Sequence, residues 1–401
     1  MKLRLGPGAM VAAAFIGPGT LTTAATTGAS SGLALAWTIL FALIATVTLQ
    51  ELAVRSALST QRDLAALTRE FGGAIWGRCF IAPLIVAAIG IGNAAYQSGN
   101  LSGAAVGLTV FIPDRFASAV LSLSAVAVIL ILSNRYQWLE RVLVALVVLM
   151  AILFFGLAIT LVPEILSLSA DRLAPRFGSG DSLLVLALIG TTIVPYNLFL
   201  HATAARRRWQ DTPLSEALRE ARWESVVAIF IGATITLAIM AVSAALLESP
   251  SNQSVLNALI DRVDDRLPGF GGPLIATGLL AAGFSSALAA PVAASWAVCG
   301  ALGLSTDERS TAFKTVALLV LAVGMSLALV ASRPQALIVT AQATNAMLLP
   351  VVAGILLLIA NSQHIPRPWR NGKLANVLAA IIILLVTAIA GTKLVPLLFA
   401  N

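Results

Sequence analysis

Charged residues are scarce in this chain of 401 residues. They make up 11% of it, against 59% for hydrophobic residues, whereas soluble domains are about 25% charged and about 45–50% apolar. Cysteine and histidine are scarcer still, with two residues each, so neither a disulfide framework nor a cysteine-rich metal centre is expected. The composition excludes an ordinary soluble domain and indicates an integral membrane protein. Cys79 and Cys299 lie in or beside apolar runs and are expected to be small core residues.

Apolar runs recur along the whole chain, each near the roughly 20 residues that a helix needs to cross the hydrocarbon core of a bilayer. The runs are continuous, which excludes a transmembrane β-barrel, because barrel strands alternate between apolar and polar residues. The sequence therefore predicts an all-α membrane protein, a single transmembrane domain of eleven spans. The predicted spans are 7–30, 33–54, 76–110, 116–133, 141–162, 182–205, 225–248, 272–303, 312–332, 336–361 and 374–398.

Basic residues are unevenly shared between the two sides of the predicted membrane. If the N-terminus is inside, alternate loops on that side carry most of the 25 Lys and Arg residues, as the positive-inside rule requires. We therefore expect an inner N-terminus, an outer C-terminus and a bacterial cytoplasmic membrane as the location. Nucleic acid is not an expected partner, because no soluble module presents a basic face; the expected partners are the lipid bilayer and a small ion or solute, and the chain is expected to be monomeric.

Two spans are interrupted at their centres by proline and polar residues: the first at Gly17–Thr20 (GPGT) and the sixth at Val194–Asn197 (VPYN). Proline leaves carbonyl groups of the preceding turn without a helical partner, and in hydrocarbon those groups need protein, water or a ligand. Interrupted helices at matching positions in two halves of a chain indicate a transporter binding site. The alternative is a pair of structural kinks, which are common in membrane helices.

The breaks lie in the first and sixth spans, which leaves five spans in each half, and an odd number requires the second half to be inverted. This predicts the leucine-transporter (LeuT) plan of two inverted five-helix repeats, with helices 1 and 6 broken. The repeats are placed at approximately 7–162 and 182–361, with an additional helix at 374–398.

Three segments resemble the Nramp family of divalent-metal transporters. They are LQELAVRSALSTQRDLAALTREFG at 49–72, PYNLFLHA at 195–202 and GLLAAGFSS at 278–286. The resemblance covers most of the chain and implies a LeuT-like bundle in which the substrate lies between the first and sixth spans.

The chain departs from the family at the residues that the resemblance assigns to metal binding. Where the family has Asp-Pro-Gly-Asn, this chain has Gly17 and Thr20 at the Asp and Asn positions; Val194 and Tyr196 stand at the Met and His positions of the sixth-span motif. Asn197 matches. The sequence therefore predicts no site for a transition metal.

The altered pocket offers hydrogen-bonding groups in place of acids. Each half-helix N-terminus acts like roughly half a positive charge, and no carboxylate lies in either break. Loss of the acid is expected to favour a small anion such as bicarbonate, or a neutral polar solute; even partly hydrated Mg²⁺ is generally held by one or two carboxylates. The predicted substrate-binding residues are Gly17, Pro18, Gly19, Thr20, Thr23, Val194, Tyr196 and Asn197.

The eighth span carries oxygen ligands on one helix face. The Ala282 carbonyl and the Ser285 and Ser286 hydroxyls have i, i+3, i+4 spacing, and the arrangement resembles the sodium site of LeuT-fold symporters, completed by carbonyls of Ala14 and Gly17. Oxygen-only ligands suit a hard cation, so Na⁺ is the expected coupling ion. The alternative is that the serines bond to their own helix or help helices to pack.

Further polar residues in the spans are candidates for a gate or pathway: Asn93, Tyr96, His201, Gln342 and Asn345. Asn93 and Tyr96 align with an acidic pair that the family resemblance links to proton transfer, and neither is an acid, which argues against proton coupling by that route. His201 matches the family's sixth-span motif. Packing between helices is the alternative role for Gln342 and Asn345.

The sequence thus predicts a secondary active transporter that works by alternating access. No nucleotide-binding loop follows a strand, so ATP-driven transport, an enzyme activity and a cofactor are not expected. The first alternative is proton-coupled import of a divalent metal (Mn²⁺, Fe²⁺ or Mg²⁺). The alternative from another class is a transport-inactive sensor or a channel. Restoring Asp at 17, Asn at 20 and Met at 194 is expected to create Mn²⁺ affinity.

Overall fold

The computed structural model describes residues 16–71, 73–133, 137–178, 180–247 and 254–399, and in these ranges it is built from helices. Short turns at Gly73–Trp76, Gly77–Ile81 (π-helical), Val162–Leu166, Ala170–Leu173 and Arg367–Trp369 join the longer elements. The longer helices are α1 (Pro18–Ser31), α2 (Trp37–Thr60), α3 (Leu64–Glu70), α4 (Ala82–Thr109), α5 (Phe116–Ser133), α6 (Gln137–Thr160), α7 (Ser182–Thr192), α8 (Pro195–Arg208), α9 (Leu214–Leu246), α10 (Val255–Arg266), α11 (Gly271–Leu302), α12 (Thr311–Val330), α13 (Pro334–Ala360) and α14 (Lys373–Phe399).

The predicted all-α membrane architecture is confirmed. Within the described ranges, nine helices are long and apolar enough to cross a membrane, with α7 and α8 counted as one interrupted span. The other two predicted spans are the first, whose described part is the half-helix α1, and the fifth, whose apolar part is Val147–Thr160. The boundaries of the two inverted repeats stay a prediction.

Three details differ from the sequence prediction. Helix α9 begins at Leu214, eleven residues before the predicted 225, because a charged amphipathic extension continues the helix beyond the apolar run. Helices α3 and α10 are absent from the sequence prediction, because they are short and lie outside the long apolar runs. Cys79 is exposed on the protein surface, so only Cys299 is the core residue expected.

Helix α4 is the central packing element and contacts α11, α12 and α13. Small residues let the backbones approach closely, as is usual in membrane bundles. A Cβ at Gly283 of α11 would lie 2.5 Å from the Ala104 nitrogen, and one at Gly324 of α12 would lie 2.5 Å from Gln97. These contacts hold α4 in a fixed register against the helix that carries the predicted sodium residues.

An interior proline in α11 is matched by an amide on α4. Pro291 cannot donate to the carbonyl four residues earlier, which belongs to Ala287. The Nε2 of Gln97 donates to that carbonyl at 3.0 Å, and both side chains are buried. The polar group exposed by the proline is therefore satisfied within the bundle.

Candidate functional site

Helix α1 begins in the interior of the bundle. Pro18 occupies its first turn, where a proline has no intrahelical hydrogen bond to lose, and Gly17 caps the helix in an extended conformation (φ −96°, ψ 179°). The backbone nitrogens of Thr20 and Leu21 donate to the Gly17 carbonyl at 3.1 and 3.3 Å. The GPGT motif is thus the start of a half-helix, and its positive pole points into the protein.

The second break has the same construction. Helix α7 ends at Thr192, Ile193 and Val194 leave the helical conformation, and α8 begins at Pro195 with Val194 as its extended N-cap. The Asn197 nitrogen donates to the Val194 carbonyl at 3.0 Å. The interruption of the sixth span is therefore confirmed, and a helix begins at Pro18 as predicted for the first break, whose preceding residues 1–15 lie outside the described ranges.

The two breaks are in direct contact. The Oγ1 atoms of Thr20 and Thr191 lie 2.8 Å apart in a buried hydrogen bond. Thr191 was not among the predicted residues, although a threonine three positions before Val194 in an apolar span was a usable signal. The hydrogen bond brings the starts of α1 and α8 to one region of the bundle.

Gln342 of α13 lies between the two interrupted helices. A Cβ at Gly19 would collide with the Gln342 side-chain amide, and one at Gly190 of α7 would collide with the Gln342 backbone carbonyl. Glycine is needed at position 190 because the backbone of α13 approaches so closely, whereas a side chain at position 19 would have to displace the Gln342 amide. Gln342, predicted as a gate or pathway residue, is thus placed against the first break.

Two tyrosines meet beside the first break. The rings of Tyr96 on α4 and Tyr196 on α8 have centroids 5.5 Å apart with an interplanar angle of 61°. A Cβ at Gly17 would lie 3.3 Å from the Tyr96 hydroxyl and 3.2 Å from the Ser286 hydroxyl. Residues from α1, α4, α8 and α11 therefore converge, and Tyr96 lies in this central region.

Several buried polar atoms of the central region lack a hydrogen-bond partner among the described residues. Both side-chain atoms of Asn197 and of Gln342 belong to this group, as do the hydroxyls of Thr23, Tyr196 and Ser286. Buried polar groups are normally paired, so such a concentration marks a place for water or a solute. These residues are at most 3% exposed, so the place is shielded from bulk solvent in this structure.

Acidic side chains are missing from the helices of the site. The sequences of α1, α4, α7, α8, α11 and α13 contain no Asp or Glu. In the part of the chain that the structure describes, no group of three or more His, Cys, Asp or Glu residues is arranged to hold a metal ion. The site therefore offers hydroxyls, amides, carbonyls and helix N-termini.

The predicted sodium residues are partly brought together. Ser286 lies beside Gly17, and Ala282, Ser285 and Ser286 follow one another on the buried part of α11. Ala14 lies outside the described residues. The Ser286 hydroxyl makes no hydrogen bond to its own helix in the described structure, which leaves it able to act as a ligand.

The remaining gate or pathway candidates have structural neighbours. The Nδ2 of Asn93 is 3.4 Å from the Ala290 carbonyl of α11, and the Nε2 of His201 is 3.4 Å from the Ser225 hydroxyl of α9. Asn345 lies against Gly92, with its Nδ2 unpaired within the described ranges. Asn93 therefore packs α4 on α11 at the position where the family resemblance puts an acid.

The comparisons with known proteins agree with this architecture. A family model described as natural resistance-associated macrophage protein-like, or Nramp, matches residues 8–396. A divalent metal cation transporter MntH of Mesorhizobium japonicum is 26% identical over 405 residues, which covers 95% of this chain and 87% of the relative.

Two solved structures have similar folds. One is a manganese transporter of Eremococcus coleocola in complex with an aromatic bis-isothiourea substituted compound, with a TM-score of 0.78 at 21% identity, covering 96% of this chain and 84% of that one. The other is MhsT in complex with L-phenylalanine, with a TM-score of 0.63 at 18% identity, covering 97% of this chain and 99% of that one. The fold is LeuT-like, as predicted, and the family match over nearly the whole length shows that this chain belongs to the Nramp family of transporters.

Proposed function

We propose that this Nramp-family protein is a secondary active transporter whose central site takes a small oxyanion, with bicarbonate the best fit, or a neutral polar solute of similar size. The supporting observation is the absence of Asp and Glu from the helices of the site, together with the unpaired hydroxyl and amide groups of its described residues. Hydroxyls and amides can donate to the oxygen atoms of a solute, and the N-termini of α1 and α8 favour negative charge.

A bare divalent ion fits this site poorly. Moving an isolated charge into a low-dielectric interior costs on the order of tens of kcal/mol by Born estimates, and an anionic ligand normally offsets that cost. Gly17 has no side chain, and Val194 has no sulfur atom. The remaining neutral oxygen and nitrogen atoms do not replace a carboxylate as a partner for a dication.

We further propose that Na⁺ drives the transport from a site formed by the Ala282 carbonyl and the Ser285 and Ser286 hydroxyls, opposite Gly17. The buried Ser286 hydroxyl beside the first break, which bonds to no carbonyl of its own helix in the described structure, supports this assignment. Ser286→Ala is expected to weaken the Na⁺ dependence of uptake. Unchanged Na⁺ dependence in that variant would remove the site from the mechanism.

Radiolabelled uptake into proteoliposomes tests the proposed substrate. At mildly alkaline pH, initial uptake of labelled bicarbonate should exceed that of empty liposomes and should rise above the equilibrium level with an inward Na⁺ gradient, but not with a K⁺ gradient. Empty liposomes correct for the passage of dissolved CO₂. Uptake equal to that of empty liposomes under both gradients would contradict the bicarbonate assignment.

Divalent-metal import is the second candidate, because the Mesorhizobium relative is named a divalent metal cation transporter. The same vesicles, loaded with a metal-sensitive dye and exposed to Mn²⁺, separate the two functions. Mn²⁺ entry without bicarbonate entry would favour the metal importer.

We also propose that the protein lies in a bacterial cytoplasmic membrane with its basic end inside. Six described ion pairs gather at that end: Arg55–Glu51, Arg222–Glu51, Arg62–Glu70, Arg206–Asp63, Arg207–Glu308 and Arg208–Glu224. The rule for membrane orientation counts Lys and Arg and gives Asp and Glu little weight, so the arginines of this end favour the cytoplasmic side even though they are paired.

A further inference from the structure

The space beside Gly17 is shared by two hydroxyl groups from other helices. A Cβ at position 17 would lie 3.3 Å from the Tyr96 oxygen of α4 and 3.2 Å from the Ser286 oxygen of α11. Tyr96 is 1% exposed and its ring is held against Tyr196. Any side chain at position 17 must therefore project towards the Tyr96 and Ser286 hydroxyls.

A carboxylate at position 17 would compete with the tyrosine for the same volume. Its oxygens extend beyond the Cβ, which would already be in tight contact with both hydroxyls. Protein interiors are close-packed, and forcing extra atoms into them displaces side chains. The absence of a side chain at Gly17 and the presence of a tyrosine at 96 are thus two parts of one arrangement.

A tyrosine hydroxyl in place of a carboxylate also changes the hydrogen-bonding character of the pocket. An ionised carboxylate only accepts hydrogen bonds, whereas a phenol hydroxyl donates one and also accepts. The Tyr196 and Ser286 hydroxyls lie within hydrogen-bonding reach of the Tyr96 hydroxyl, and neither has another partner among the described residues. Hydroxyl groups from three helices therefore meet in one small region.

We infer that Tyr96 is a specificity-determining residue of the central site. Its hydroxyl donates to an oxygen of the bound solute, and its volume excludes the acidic side chain at position 17 that would select a divalent cation. The first half of this inference rests on the proposed function; the second half depends only on packing. The expectation from the sequence that Gly17→Asp, Thr20→Asn and Val194→Met create Mn²⁺ affinity is therefore revised, because the acid at position 17 also needs a smaller residue at position 96.

The packing half is tested by Mn²⁺ titration calorimetry on purified protein. In the triple variant Gly17→Asp, Thr20→Asn, Val194→Met, the further change Tyr96→Ser should tighten Mn²⁺ binding by at least about tenfold, or about 1.4 kcal/mol. Ser124→Ala in the same triple variant is the matched control, because Ser124 is a buried hydroxyl on α5 that bonds to its own helix at Val120. Equal Mn²⁺ affinity with and without Tyr96 would overturn this half.

The donor half is tested in the otherwise unchanged protein, which also covers the case in which the triple variant does not fold. Tyr96→Phe keeps the ring and removes the hydroxyl, and should raise the KM for bicarbonate by about tenfold, whereas Ser124→Ala should leave it unchanged. An unaltered KM in Tyr96→Phe would contradict the donor role. If the unchanged protein takes up no bicarbonate, the proposed function and the donor role fail together, and the Mn²⁺ titration still decides whether Tyr96 excludes an acid at position 17.

Discussion

At the scale of single residues, Gln97 shows how a buried amide compensates for a proline. Its Nε2 donates to the Ala287 carbonyl, which Pro291 leaves without a helical donor. We predict that Gln97→Leu destabilises the protein by about 1–3 kcal/mol, because a buried acceptor loses its partner. Thermal unfolding in detergent measures the change.

A second substitution gives the prediction its control. Pro291→Ala restores a backbone donor to the Ala287 carbonyl, so Gln97→Leu should cost less in that background than in the unchanged protein. Equal costs in the two backgrounds would show that Gln97 stabilises the protein by another route.

Individual residues also show which features of the site could be predicted from the sequence. Pro18 and Pro195 identified both half-helix starts, because a proline inside an apolar run has few conformational options. The sequence predicts a gate or pathway role for Tyr96, and the structure places its hydroxyl beside Gly17. The sequence predicts that residue 96 lies in the third span. Which helix its side chain faces depends on how α4 packs against its three neighbours, α11, α12 and α13.

At the scale of elements, a side-chain hydrogen bond joins α1 to α7. Thr20 on α1 and Thr191 on α7 are bonded at 2.8 Å, whereas the neighbouring Thr192 hydroxyl bonds within α7 to the Leu188 carbonyl at 2.9 Å. Thr191→Val should lower stability by about 1 kcal/mol and slow bicarbonate uptake, since it loosens the contact between the breaks. Thr192→Val is the matched control, and equal effects of the two substitutions would argue against a special role for the Thr20–Thr191 contact.

The C-terminal end of α1 is held by an arginine from the loop before α7. The Arg172 guanidinium donates to the carbonyls of Gly28 and Ala29 at 3.0 and 3.2 Å. A cation near the final carbonyls of a helix satisfies acceptors and interacts favourably with the helix dipole. The contact stabilises the C-terminal end of α1, whose N-terminus lies at the central site.

We predict that Arg172→Ala increases amide hydrogen exchange in the last turn of α1 and in residues 31–37. Arg176→Ala serves as the control, because the Arg176 side chain is exposed and this loop position uses its backbone to contact Ala34. Exchange that rises equally in both variants would contradict the proposed role of the Arg172 side chain.

At the scale of the whole molecule, the positive-inside pattern predicts the orientation. In a variant with Cys79 and Cys299 replaced, a cysteine at exposed position Asp114 should react with a membrane-impermeant maleimide from outside intact cells. A cysteine at exposed position Asp211 should react only after the membrane is permeabilised. The opposite pattern would reverse the topology.

The overall fold was the most predictable level. Apolar length fixes where helices can cross a membrane, and the paired breaks indicated the LeuT-like plan. The site was less predictable because its contacts join distant parts of the chain: Gly17 meets Tyr96 and Ser286, and Gly19 meets Gln342. The spacing of residues along one helix does not predict contacts between different helices. Only the folded bundle shows that two hydroxyls lie beside the position where the family has an acid.

The central claim is that the middle of this bundle carries no fixed negative charge able to hold a divalent cation. Titration calorimetry of the purified, unaltered protein with Mn²⁺ tests it most directly, with Asn197→Ala as the variant that separates the central site from carboxylates at the helix ends. We predict no saturable heat that depends on Asn197. Saturable Mn²⁺ binding in the unaltered protein that disappears in Asn197→Ala would contradict the claim.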